Sequence, residues 1–149
     1  MTATLFDLTF LLAAPFWALM IFVPKWSWTQ RIAESYLIIL PVVAIYVALM
    51  IPTLPELIPL VTRPELPALA EFMSTDVGAT LVWAHMLAWD LFVGRWMYLE
   101  GRRLNIHPLV MAPVLVITIL LAPVGLPLFL IVRKVCDATN RGAAVVTGQ

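Results

Sequence analysis

The sequence predicts an all-α integral membrane protein, a four-helix bundle with kinked helices, and three observations carry that prediction. The chain is 62% hydrophobic and only 12% charged, with a mean hydropathy of +0.98. Soluble domains sit near about 45–50% apolar and about 25% charged, and the core of a 149-residue chain cannot hide the excess. Four apolar segments follow one another, each close to the roughly 20 residues that cross a bilayer as a helix. No fixed-period repeat, low-complexity tract or separate soluble domain interrupts them.

The first segment runs from Leu5 to Val23, is interrupted by Pro15 and stops at Pro24-Lys25. The second runs from Ser35 to Thr53 around Pro41, the third from Val77 to Tyr98, and the fourth from Pro108 to Val132 with Pro113, Pro123 and Pro127 inside it. Prolines at these positions imply kinks, since neighbouring groups can satisfy the carbonyls they free. Ala122 to Pro127 is dense enough in helix breakers to bend the fourth segment sharply. Residues 1–134 therefore form one four-helix transmembrane domain, and residues 135–149 a small, polar, disordered tail.

The connections differ in kind. Lys25 to Glu34 is a short loop with Trp26 and Trp28 placed as interfacial anchors. Leu54 to Asp76, between helices 2 and 3, holds Pro55, Pro59, Pro64 and Pro67, and four acids against Arg63; its Leu and Ile content predicts a partly helical, interfacial segment. Glu100, Arg102 and Arg103 read as a solvated loop face. Four cations fall on each side of the bilayer (Lys25, Arg31, Arg102 and Arg103 against Arg63, Arg133, Lys134 and Arg141), so the positive-inside rule selects no orientation.

Several function classes drop out. Zero net charge with no basic cluster gives nothing for nucleic acid to bind. Cys136 is the only cysteine and His85 and His107 the only histidines, so no metal site is predicted. Nucleophile elbows, phosphate loops and dinucleotide fingerprints are missing. The N-terminus lacks a basic region before its apolar run and lacks a Ser- and Arg-rich leader, so the chain reads as bacterial or already mature.

The third segment is the informative one. In WAHMLAWDLFVGRW, His85 and Asp90 lie within roughly 5 Å of the bilayer centre, and Arg95 about 10 Å from it, close enough to snorkel. An Asp at that depth costs about 3 kcal/mol, while each Leu or Phe returns about 0.5, so Asp90 offsets roughly six apolar residues. A helix does not need that charge to span. The arrangement of lowest cost turns Asp90 into the bundle, against a partner from another segment such as Tyr36 or Tyr46. At 100° per residue, His85 and Asp90 point about 140° apart, as do Asp90 and Arg95, so the three form no single compact site on a straight helix.

Each of these residues has a structural and a functional reading. Asp90 either pins helices or takes part in binding or chemistry; His85 is a core histidine, a proton donor or a ligand to a tetrapyrrole. Arg95 snorkels, pairs with an acid or acts at the site. Trp83, Trp89 and Trp96 form a broad aromatic stripe with Phe92, which suits packing and also suits a flat or polyene pigment. Asp90, His85 and Arg95 are the candidate catalytic residues, and Trp83, Trp89, Phe92 and Trp96 the candidate pigment contacts.

The pattern W-x-H-x-L-A-x-D-L-F-x-x-R, read here as Trp83, His85, Leu87, Ala88, Asp90, Leu91, Phe92 and Arg95, resembles the central motif of the abscisic-acid-deficient-four-like membrane proteins, associated with neoxanthin synthesis in plastids and with bacterial relatives. Pro15, Trp17 and Pro24-Lys25 resemble the family's first helix and its exit; Ser35, Tyr46, Glu65-Leu66 and Phe72 fall where its second helix and following loop are expected; Pro123-Val124-Gly125 and a basic pair resemble its P-x-G segment. The similarity covers about residues 8 to 134. It implies a carotenoid-pathway membrane protein: a xanthophyll epoxide isomerase-like enzyme, or a factor that presents carotenoid to one, with carotenoid as substrate or bound pigment. An isomerase of that kind needs an acid at the epoxide oxygen and a base at the polyene, roles that Asp90 and His85 fit by residue type. The alternative is a non-catalytic pigment-binding accessory subunit of a larger photosynthetic or respiratory membrane complex, with His85 on a tetrapyrrole. A proton-coupled carrier is the third reading, weakened by the missing internal repeat. The expected partners are the lipid bilayer, carotenoid and other membrane subunits, and the expected location a bacterial inner or photosynthetic membrane, crossed several times.

Overall fold

The computed structural model of the protein describes residues 2–146, with side chains to residue 139. Among the described residues the chain is all helical: α1 (Thr2–Phe22), α2 (Ser27–Glu34), a 3-10 turn (Tyr36–Ile38), α3 (Leu40–Thr62), α4 (Leu66–Ser74), α5 (Asp76–Arg103), α6 (Pro108–Leu120) and α7 (Ala122–Val146). Three of them, α1, α3 and α5, are long and apolar enough to cross a membrane. The expected four-helix bundle is therefore corrected to seven helices, of which three have membrane-spanning length and composition.

The differences have local causes. Pro41 sits in the first turn of α3, where its missing N–H costs nothing, so it starts the helix instead of bending it. The helix then runs on through Pro52, Pro55 and Pro59 into the expected loop between the second and third segments, and α4 makes a second helical stretch of that loop. The expected fourth span divides at Leu121, whose backbone leaves the helical region (φ −146°, ψ 69°) just ahead of Pro123. That leaves α6 with 13 residues, about 20 Å of helix and short of a hydrocarbon core. Past the break, α7 carries its helix through residues 135–146, where a disordered tail was expected, and residues 147–149 lie outside the described residues.

The chain forms two compact units, and α1 and α5 contribute to both. The first comprises Met1–Pro15 and Tyr36–Trp89. Its core is Ile45 and Leu49 of α3, Phe72 of α4 and Leu81 of α5, with Leu5 and Leu12 of α1 packed on it. Thr75 starts α5 by accepting from the Gly78 N–H at 3.0 Å, one of the unpaired amides of a first helical turn.

The second unit comprises Phe16–Ser35 and Asp90–Gln149. Trp17 and Met20 of α1, Leu91 and Met97 of α5, Met111, Val114 and Leu115 of α6 and Phe129 of α7 fill its interior. α5 ends on Asn105, in left-handed backbone at φ 55°, with Ile106 N–H on the Gly101 carbonyl (2.9 Å) and Asn105 N–H on that of Arg102 (3.1 Å). This paired closure satisfies two terminal carbonyls and turns the chain directly into α6.

Candidate functional site

The motif residues all lie on α5, an uninterrupted helix whose midpoint falls between Trp89 and Asp90. Its register decides what they share. His85, Trp89, Phe92 and Trp96 fall within an arc of about 60°, and all four are exposed. Met86, half exposed, extends that sector, and the half-buried Asp90 stands at its far edge. His85 and Asp90 are thus about 140° apart around the axis and about 7.5 Å apart along it.

Within the first unit the His85 ring lies 5.6 Å from Tyr46 and 6.5 Å from Trp89. Trp83 leaves the stripe and stacks on Phe6 at 5.3 Å. Within the second unit Trp96 meets Phe129 edge to face at 5.3 Å. Trp89, Phe92 and Trp96 are exposed, while Trp83 is half-buried against Phe6.

Asp90 does not do what was expected of it. Among the described residues it makes no hydrogen bond or ion pair, with Tyr36, Tyr46 or any other group. A helix-pinning aspartate has a partner to pin, so the structural reading loses its support.

Arg95 is 7% exposed, and its Nη2 donates to the Glu34 carbonyl at 2.9 Å. Glu34 is the last residue of α2, whose unpaired carbonyls carry the negative end of the helix dipole, so a buried guanidinium there is well placed. Three and seven residues further along the same face, the Tyr98 hydroxyl (2.7 Å) and Arg102 Nη1 (2.9 Å) both donate to the Pro24 carbonyl, and Arg102 Nη2 donates to Gln30 Oε1 at 2.9 Å. The face 95–98–102 thus stitches α5 to the segment that follows α1.

Sequence reasoning placed Arg102 on a solvated loop face and gave Tyr98 no role. The spacing R-x-x-Y-x-x-x-R was visible, and it marks one polar helix face directed at another segment. Glu100 also leaves the solvated face: it pairs with Arg103 (2.7 Å) and Arg133 of α7 (3.0 Å), and its side chain is 12% exposed.

Arg95→Met is expected to lower unfolding stability by about 1 kcal/mol, since it removes a charge-assisted hydrogen bond to the Glu34 carbonyl. Arg95→Lys is expected to recover little, because an ammonium cannot reproduce the fork geometry of the guanidinium. Thermal unfolding in detergent followed by helical circular dichroism checks both; a wild-type midpoint in Arg95→Met would remove the capping role.

Comparison with known proteins places this geometry in a family. No solved structure matches the chain. The chain is 34% identical over 94 residues to Protein ABA DEFICIENT 4, chloroplastic, of Arabidopsis thaliana; the match covers 58% of this chain and 42% of that protein, so it spans under half of the relative's length. The ABA DEFICIENT 4-like family model matches residues 4–129, which include the α5 motif, its aromatic sector and the Arg95–Tyr98–Arg102 face. The chain belongs to the ABA DEFICIENT 4-like family.

Proposed function

We propose that this chain is a multi-pass membrane protein of carotenoid metabolism that holds a xanthophyll against α5 and isomerises it. The observation that carries this reading is the exposed sector of α5, an imidazole and three aromatic rings in helical register, followed by a half-buried carboxyl group that has no partner among the described residues. A conjugated polyene is long, flat and apolar, and aromatic faces along a lipid-level helix supply dispersion contacts without polar cost. The chain's family and its motif support the ligand class; the register of α5 supports the place.

The chemistry follows from the two polar groups. Opening an epoxide to an allene is an isomerisation: the C–O bond breaks, the oxygen gains a proton and becomes a hydroxyl, and the polyene loses a proton as the new double bond forms. No oxidant or reductant is consumed. The step needs an acid and a base at two different substrate atoms, and the carboxyl of Asp90 and the imidazole of His85 are of the residue types that supply them. Arg95, tied to the Glu34 carbonyl, is assigned to positioning α5 and not to proton transfer.

Expression in a carotenoid-producing bacterial host, with pigment chromatography and absorption spectra of gently purified protein, tests the proposal. A polyene spectrum on the protein together with a shifted xanthophyll profile, both reduced in His85→Ala, is the expected result. Unchanged pigments and a colourless protein would remove it. Tetrapyrrole bands lost in His85→Ala would instead make the chain a pigment-binding accessory subunit.

A further inference from the structure

The second unit contains a pocket of about 450 Å³ that the α5 sector does not use. Pro24 and Lys25 after α1, Tyr98 and Arg102 of α5, and Asn105 and His107 before α6 line it. We propose that this pocket binds a phosphate group carried by an anionic lipid headgroup.

The lining sets the sign of the ligand. Lys25 and Arg102 bring two cationic side chains, and no aspartate or glutamate is among the lining residues. The Arg102 guanidinium is already fixed by the Pro24 carbonyl and Gln30, which use two of its five N–H groups and leave the others to a ligand. Preorganised in this way, it loses little freedom when an anion binds. His107 caps α6: its Nδ1 accepts from the Leu109 N–H at 3.3 Å, so in the neutral ring the proton resides on Nε2, a further donor. α6 begins at the pocket wall, and the positive end of its dipole favours an anion in the same place. A xanthophyll offers these donors only neutral hydroxyl and epoxide oxygens; a phosphate offers several charged acceptor oxygens.

Location sets the source. Pro24 and Lys25 follow the end of α1, and Arg102 lies in the last turn of α5, so the pocket sits where two membrane-length helices both finish. Phe22, Trp26 and Trp28 on the adjoining segment are exposed, as residues that meet the interfacial zone of a bilayer are. Met20, Ile106 and Met111 add apolar lining, which suits the glycerol and first acyl carbons of a lipid. A lining that combines donors with apolar side chains fits a headgroup better than a free, fully hydrated ion.

The test uses the full chain purified in neutral detergent, with phosphatidylglycerol and phosphatidylcholine added at equal concentration and bound lipid read by native mass spectrometry. Phosphatidylglycerol is expected to bind about tenfold more tightly than phosphatidylcholine, and Lys25→Glu to remove about tenfold of that affinity. Arg102→Gln should act likewise, but it also cuts the tie to Pro24. The exposed Lys25 therefore decides, provided that the thermal midpoint of Lys25→Glu matches the wild type. Equal binding of the two lipids, or phosphatidylglycerol binding indifferent to Lys25→Glu, overturns the site. Inorganic phosphate separates the sources: failure at millimolar concentration to displace phosphatidylglycerol supports the headgroup, while tight, Lys25-dependent binding of phosphate alone overturns the lipid assignment.

Discussion

In Asp90→Leu, α5 is expected to insert into a bilayer more readily than in the wild type, while the change in pigment profile disappears. Aspartate at a helix centre costs about 3 kcal/mol on insertion scales and leucine returns about 0.5, so the exchange favours the inserted helix by about 3.5 kcal/mol, a factor of roughly several hundred. The sign depends on what Asp90 lacks. Were it hydrogen-bonded across the unit, its removal would strand a partner and destabilise the fold. Among the described residues it has no such partner, and leucine leaves nothing behind. A glycosylation-mapping insertion assay on the α5 segment reads the first effect, and pigment chromatography of the full chain reads the second. Asp90→Asn separates charge from shape: an amide keeps the size and loses the proton chemistry, so it is expected to follow leucine in pigment and to fall between the two in insertion. Pigment changes that persist in Asp90→Leu would take Asp90 out of the site and leave His85 and the rings to act as a binding surface alone.

The parts of this molecule that were legible in the sequence are those governed by rules acting within one helix. The length of α5, the offset of His85 from Asp90 and the alignment of Trp89, Phe92 and Trp96 follow from 100° per residue and needed no tertiary information. The end of the fourth apolar segment was half legible: the breakers from Ala122 to Pro127 announced a bend, but only the backbone at Leu121 shows that the helix stops and restarts. Arg102 was misplaced, and the carbonyl that Arg95 meets was not legible, for one common reason. A charged side chain near a helix end usually finds water, and sequence cannot show that the carbonyls of Glu34 and Pro24 are delivered to it by a neighbouring segment. The pocket beside His107 was invisible on the same grounds, because its residues come from two stretches of chain far apart in sequence and no spacing links them.

Gly94 is where the largest loss of stability is expected. It lies on α5 between the exposed sector and the Arg95 face, and it is buried against the indole of Trp17, itself 2% exposed. A β-carbon at this position would collide with the Trp17 ring, and the ring has no room to withdraw because it fills the interior of its unit. Interiors packed to crystal density accommodate an added methylene by shifting backbone, at about 1–3 kcal/mol and sometimes more. Gly94→Ala is therefore expected to lose about 2 kcal/mol, and Gly94→Leu to leave little folded protein, against a total stability of roughly 5–15 kcal/mol. Trp17→Ala on its own should cost about 3–5 kcal/mol through the cavity it opens. Combined with Gly94→Leu it should cost less than the sum of the two, since the new side chain enters the space the indole has left. Thermal midpoints and size-exclusion profiles in detergent for the two single variants and the double variant complete the cycle. A wild-type midpoint in Gly94→Leu, or strict additivity in the double variant, would show that α5 and Trp17 are not in the close approach described. A compensating double variant would fix the distance between α1 and α5 at this level of the second unit, where the spacing holds Arg95 beneath the end of α2.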